Sequence, residues 1–286
     1  MQEHRIDLSE VSLNVVSAGP SDGPLVLLLH GFPQHGASWW RQIGALADAG
    51  YRVWAPDQRG YNTSSKPSEL AAYHLDRLAG DVVELIDVAG SEKAHVVGHD
   101  WGGGVAWWTA IRHASRVAKL GILNMPHPQV LVQRHLRFHI HRCWYFYFFM
   151  LPRVPEMVLA RDDRRAMIES IRSTGNPDAF TDADLEAMRQ VAGEPGALTG
   201  MINWYRAVMR LPLDLTDVRV RVPTLIIWGA RDRFISRTMA DHSLALCDDG
   251  RLELMEKASH WVQSEEPERV NALLGRFLGS GHSGLG

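Results

Sequence analysis

Short apolar runs that alternate with longer amphipathic stretches constrain this chain more than any other feature. The segments 25–30 (LVLLLH), 51–56 (YRVWAP), 94–99 (AHVVGH) and 119–124 (KLGILN) are too short for helices and lack a regular polar alternation. That is the pattern of strands buried on both faces of a mostly parallel sheet. Between them, Trp39, Ile43, Leu46 and Ala47 fall on one helical face, as do Leu75, Leu78, Val82, Leu85 and Ile86, with Gly50 and Gly90 closing the two helices. The rhythm stops near His127. Aromatic, Arg-rich and Pro-punctuated helical pieces follow, and the buried-strand pattern returns only at 223–229 (PTLIIWG), with a further strand at 251–256 and a helix carrying Val270, Leu273, Leu274, Phe277 and Leu278. The prediction is an α/β fold with a mostly parallel central sheet flanked by helices. Its core falls in two segments, 1–126 and 218–286, interrupted by a helical cap at 127–217. The Gly/Ser-rich tail at 279–286 is expected to be disordered.

Charge and cysteine usage exclude several classes of function. The 286 residues carry a formal charge of −3 without long like-charge blocks, so no nucleic-acid partner is expected. Cys143 and Cys247 are the only cysteines and have no metal-like spacing, which argues against a disulfide scaffold and for a reducing compartment. The polar start MQEHRIDLSE does not resemble a signal peptide, and the longest apolar run, 143–151, is too short to cross a bilayer. A cytoplasmic protein with no membrane partner and no metal is expected, as a monomer or a homodimer.

The segment 96–103, VVGHDWGG, places Asp100 where a β-branched strand turns into a helix, with Gly98 and Gly102 on either side. Small residues at those flanks let the chain turn sharply and expose the central side chain, as in a nucleophile elbow. The competing reading is an aspartate that caps the following helix. A carboxylate that displaces a leaving group from saturated carbon forms an ester, which water can cleave at its carbonyl, whereas a serine would leave an inert ether. Asp100 therefore points to carbon–oxygen or carbon–halogen bonds at sp³ centres. Ester cleavage needs a base and an orienting acid. Asp232 follows the strand at 223–229, and His260 lies between the last strand and the last helix, giving the order nucleophile, acid, base. His30 and His99 flank the site and are expected to be hydrogen-bonding scaffold.

The motifs HGFP (30–33), DQRGY (57–61) with Ser64, GHDWG (98–102), NMPHP (124–128), NWYR (203–206) and SHW (259–261) together resemble the epoxide hydrolases of the α/β-hydrolase superfamily. The likeness spans nearly the whole chain. It implies a cofactor-independent enzyme that opens small hydrophobic epoxides to vicinal diols through an ester on Asp100, cleaved by water that His260 activates. Tyr205 resembles one of the family's paired tyrosine proton donors, and Tyr145 the other, with Tyr147 as a nearby competitor. The backbone N–H groups of Phe32 and Trp101 would form the oxyanion hole. Trp101, Phe32 and Trp204 are candidate substrate contacts, and aromatic residues of the cap would make the cleft apolar. Arg137, Arg142, Arg161, Arg164 and Arg165 are expected on a solvated surface. Haloalkane and haloacid dehalogenases share the Asp nucleophile and form the alternative. They cradle halide with N–H donors, for which Trp101, Trp144 and Trp204 are available, although an Arg after the nucleophile, typical of the haloacid enzymes, is replaced here by Trp101. A non-catalytic receptor on the same fold would show a broken triad, which this sequence does not.

Overall fold

A computed structural model of the chain describes residues 1–135 and 142–279. Arg137 and the end of the Gly/Ser-rich tail lie outside them. Eight strands form one sheet in the order β1-β2-β4-β3-β5-β6-β7-β8. β3 (Leu25–Leu29), β4 (Arg52–Pro56), β5 (Ala94–His99), β6 (Val117–Leu123), β7 (Thr224–Gly229) and β8 (Gly250–Met255) run parallel. Their positions match the apolar runs to within two residues. β1 (Gln2–Asp7) and β2 (Ser12–Ala18) extend the sheet as an antiparallel edge, and the apolar-run criterion missed both. The reason is physical: β1 exposes most of its side chains, and its charged residues blunt the edge, so neither strand needs a continuous apolar run.

Helices cover both faces. α1 (Trp40–Asp48) lies on one side, while α2 (Leu75–Val88) and α3 (Trp101–Arg112) lie on the other. α3 is buried from Trp101 to Ile111, an all-round apolar helix that belongs inside the molecule. Its two fully buried tryptophans are satisfied, Trp107 donating to the Met125 carbonyl at 3.1 Å and Trp108 to Asp76 at 2.6 Å. Chain order departs from spatial order around β3, which sits between β4 and β5. Side chains leaving the carboxyl ends of the strands next to such a switch point converge on one crevice.

Between β6 and β7 the chain forms α4 (Trp144–Phe149), α5 (Val154–Thr174), α6 (Asp182–Gly193) and α7 (Ala197–Arg210). α5 is broken at Arg161–Arg164, where three consecutive residues take positive φ. Thr181 and Asp184 cap α6 reciprocally. α7 rests directly on the DQRGY loop: a Cβ on Gly200 would lie 2.5 Å from the Gly60 carbonyl oxygen, so glycine is required there.

Arg59 holds that loop. It is 1% exposed, donates to both Asp81 oxygens at 2.7 and 2.5 Å, and reaches the Ala72 carbonyl at 2.8 Å. Breaking such a pair from one side leaves a buried charge uncompensated. Arg59→Ala is therefore expected to lower unfolding free energy by about 3–5 kcal/mol. Arg59→Met combined with Asp81→Leu should recover most of the loss, as urea denaturation would show.

Candidate active site

The site begins at the turn out of β5. Asp100 has φ 51° and ψ −128°, a strained backbone for a residue with a Cβ. The turn is also crowded: a Cβ on Gly98 would lie 2.3 Å from the Gly102 oxygen, and one on Gly102 would lie 2.1 Å from the Leu29 oxygen. The Asp100 side chain makes no capping bond to α3, so the capping interpretation does not hold. Instead its Oδ1 accepts the Phe32 N–H at 2.9 Å, and the Trp101 N–H adds to the stabilisation of its charge. Burial pushes the carboxyl up, but His260, His99 and these donors together hold it below the usual carboxylate range.

His260 is gathered from the far end of the sheet. Its Nδ1 lies 2.8 Å from Asp232 Oδ2 and its Nε2 lies 3.4 Å from Asp100 Oδ2. Asp232 is anchored on all sides, its Oδ1 accepting the N–H groups of Phe234 (2.7 Å) and Ile235 (2.9 Å) and its Oδ2 the Asn124 amide (2.8 Å). Burial opposes the charge of Asp232, and His260 with the N–H donors outweighs it, so the carboxyl stays ionised below its ordinary range. Burial likewise lowers the proton affinity of His260, but Asp232 and Asp100 reverse this and raise its pKa to about 10. In the resting protein the ring is a buried cation between two carboxylates.

Scaffold histidines behave differently. His99 is fully buried, and burial followed by the His260 charge drives its pKa to about 3. The neutral ring meets the His260 carbonyl through Nε2 at 2.9 Å and the Gln34 side-chain amide through Nδ1 at 3.2 Å. His30, lowered to about 4 chiefly by burial, accepts the Gln58 N–H at 3.1 Å. Three fastenings have no local signal in the sequence. Gln34 supports His99, and Asn124 of the NMPHP motif holds Asp232. Glu265 accepts from the N–H and hydroxyl of Ser259 (both 2.5 Å) and from the Asn176 N–H (2.8 Å), tying the loop that carries His260 to the inserted helices.

Above Asp100 lies a narrow apolar cavity, lined by Asp100, Trp101, Met125, Leu131, Tyr145, Phe146, Tyr205 and Ile235. Tyr145 and Tyr205 thus face one space with Asp100, their rings 5.9 Å apart and nearly perpendicular. Burial, then the charge of Asp100, raises both phenols well above their ordinary pKa, so they are protonated donors. Tyr147 is 45% exposed on the outer side of α4 and does not reach the site. The sequence placed Trp204 among substrate contacts, and the structure does not bring it to this cavity. Its ring is buried and its indole N–H is committed to the Arg59 carbonyl at 3.0 Å. Trp144 is 63% exposed and likewise faces away. Phe32 packs edge-on to Tyr205, with centroids 5.6 Å apart. Of the inserted arginines, Arg142 is half-buried and donates to the Asp232 carbonyl at 3.1 Å, so it is not merely a solvated surface group.

Residues 24–267 match the family model described as the alpha/beta hydrolase fold. The chain belongs to the α/β-hydrolase family. It is 40% identical over 275 residues to an AB hydrolase superfamily protein of Bacillus subtilis, covering 96% of each. Epoxide hydrolase A of Mycobacterium tuberculosis is 36% identical, with 96% of this chain and 97% of that protein covered. Among solved structures, epoxide hydrolase A from Mycobacterium thermoresistibile superposes with a TM-score of 0.88 at 32% identity, covering 98% of each chain. These relatives place the chain among hydrolytic enzymes of the epoxide-hydrolase group.

The charged triad carries a pH signature. The folded-state pKa of His260, about 10, lies above its ordinary value of 6.5. The stability it contributes is therefore fully present below the ordinary value and is lost as pH rises through about 10. The stability gap between wild type and His260→Gln should accordingly be widest near neutral and acidic pH and shrink toward the higher pKa. Denaturation midpoints followed across that range check this; a gap independent of pH would show that the ring is not a buried cation.

Proposed function

We propose that the protein hydrolyses small hydrophobic epoxides to vicinal diols through a covalent ester on Asp100. The observation that carries this reading is that Tyr145 and Tyr205, whose phenols are held protonated chiefly by burial, line the same cavity as the Asp100 carboxylate. Ring opening creates an alkoxide, which needs a proton donor opposite the nucleophile. A halide needs only N–H donors. Of the three tryptophans available for that task, Trp204 is committed to Arg59 and Trp144 faces outward, which disfavours dehalogenation.

In the proposed cycle Asp100 Oδ2, the oxygen not held by Phe32, attacks an epoxide carbon. The ring carbon–oxygen bond breaks as the ester bond forms, and a phenol protonates the leaving oxygen. Esterification removes one of the two charges that hold the proton on His260, so its proton affinity falls; the ring gives up that proton by way of solvent to the phenolate that ring opening leaves, and the neutral imidazole becomes a base. It then takes a proton from water that adds to the Asp100 carbonyl. Negative charge developing on Oδ1 would be met by the N–H of Phe32, which that atom already accepts, and by the N–H of Trp101. Collapse releases the diol and regenerates the carboxylate with one oxygen from water. Asp232 positions His260 and offsets its charge. Trp101, with Met125, Leu131, Phe146 and Ile235, makes the cavity apolar. The proposal also includes a cofactor-independent, cytoplasmic enzyme in which residues 127–217 cap a core formed by 1–126 and 218–286.

A panel of aryl and alicyclic epoxides and of haloalkanes, scored for diol against halide, tests the reading. Diol formation from epoxides is expected; halide release without diol formation would overturn it. Asp100→Ala should abolish turnover, and His260→Gln should accumulate the ester, visible as added mass on the intact protein. Tyr145→Phe and Tyr205→Phe should each slow alkylation by about 10²- to 10⁴-fold, while Tyr147→Phe leaves it unchanged.

A further inference from the structure

Six of the nine exposed large hydrophobic side chains among the described residues fall between 144 and 158: Trp144, Tyr147, Leu151, Val154, Met157 and Val158. Isolated exposed apolar groups need no explanation, but such a concentration marks a surface that meets something other than water. α4 reads WYFYFF and is aromatic at every position. Phe146 and Phe149 are buried and Tyr145 faces the cavity, while Trp144 (63%) and Tyr147 stand outward. On α5, Val154, Met157 and Val158 share one face by helical spacing, and Arg161 continues that spacing at its edge.

The two stretches form one platform because Arg206 joins them. From α7 it donates to the Phe149 and Leu151 carbonyls, both at 2.9 Å, and pairs with Glu156 at 2.7 and 3.1 Å. The stretch that carries the patch is basic within a protein of net charge −3: residues 142–165 contain five arginines against three carboxylates. Two of those carboxylates are taken, Glu156 by Arg206 and Asp163 by Arg164 and Arg189. Arg153 and Arg161 are exposed and form no salt bridge among the described residues.

We propose that this face seats on the surface of an anionic lipid bilayer. Trp and Tyr favour the headgroup boundary, aliphatic side chains the acyl region beneath it, and exposed arginines the negative surface. No described helix is long and apolar enough to cross a membrane, and none needs to be, since a helix lying flat presents only one face. The expectation of no membrane partner rested on the lack of a spanning run and does not bear on this geometry. Seating would bring the outer wall of the Tyr145 cavity against the apolar phase in which hydrophobic epoxides concentrate. That consequence rests on the proposed reaction; the docking does not.

Flotation of the purified full chain with vesicles tests the proposal. Vesicles of phosphatidylcholine and phosphatidylglycerol in equal parts are compared with phosphatidylcholine alone. Wild type and Val88→Glu, a substitution at an exposed apolar residue of α2, should float with the anionic vesicles and be released by high salt. Trp144→Glu combined with Met157→Glu should reduce binding about tenfold or more; if it fails to fold, Met157→Glu alone takes its place. Wild type that stays with the unbound fraction overturns the proposal. So does a homodimer in sedimentation that the double variant dissociates without any vesicle binding, which would make this face a contact between two copies.

Discussion

A buried imidazolium held between two carboxylates is the constraint around which this molecule is built. Two buried ionisable groups beside a third that is largely shielded from water are tolerated only if each charge is met by its neighbours. His260 meets both aspartates, and each aspartate is further met by N–H donors that the backbone supplies. The arrangement is demanding because the groups come from distant parts of the chain. Asp100 follows β5, Asp232 follows β7 and His260 follows β8. A parallel sheet solves this by directing every strand's carboxyl end to one edge. The strain at Asp100 belongs to the same solution, since a sharp turn is what sets its carboxylate on the N–H of Phe32.

The inserted helices complete the electrostatics. α7 is fixed from two sides, Trp204 binding the Arg59 carbonyl below and Arg206 clamping the α4–α5 joint above. Tyr205, between those anchors in sequence, is left to face Asp100. NWYR therefore works as a positioning unit, in which the residues flanking the tyrosine hold its helix. Packing aromatic side chains over the carboxylate excludes water, which strengthens every charge interaction beneath. The same packing holds both phenols in their protonated form.

Residues differ in how far their sequence reveals them. The parallel strands were legible because burial on both faces demands an apolar run, and β5 is buried throughout. β1 and β2 were not, because an exposed antiparallel edge imposes no such demand. Asp100 was legible from the glycines its turn requires. Asn124 was not, because an asparagine after a strand has many ordinary uses, and only the proximity of β6 to β7 gives it Asp232 to hold. Gln34 and Glu265 act on partners 65 and 6 residues away, with no local pattern to announce them.

By itself, then, the sequence determined the alternation of strands and helices, the sharp turn at Asp100, and the chain order of Asp100, Asp232 and His260 after successive strands, because each depends on local periodicity or on glycine at a crowded turn. Tertiary structure decided what depends on orientation. Tyr145 and Tyr147 are two residues apart on one helix and so point to opposite sides; packing of α4 against α7 turned the first toward Asp100 and the second outward. Trp204, a candidate contact by its letters, became a strut once the DQRGY loop lay beneath it. Composition supplies the side chains, but which face of a helix is inside is settled only by the neighbour it packs against.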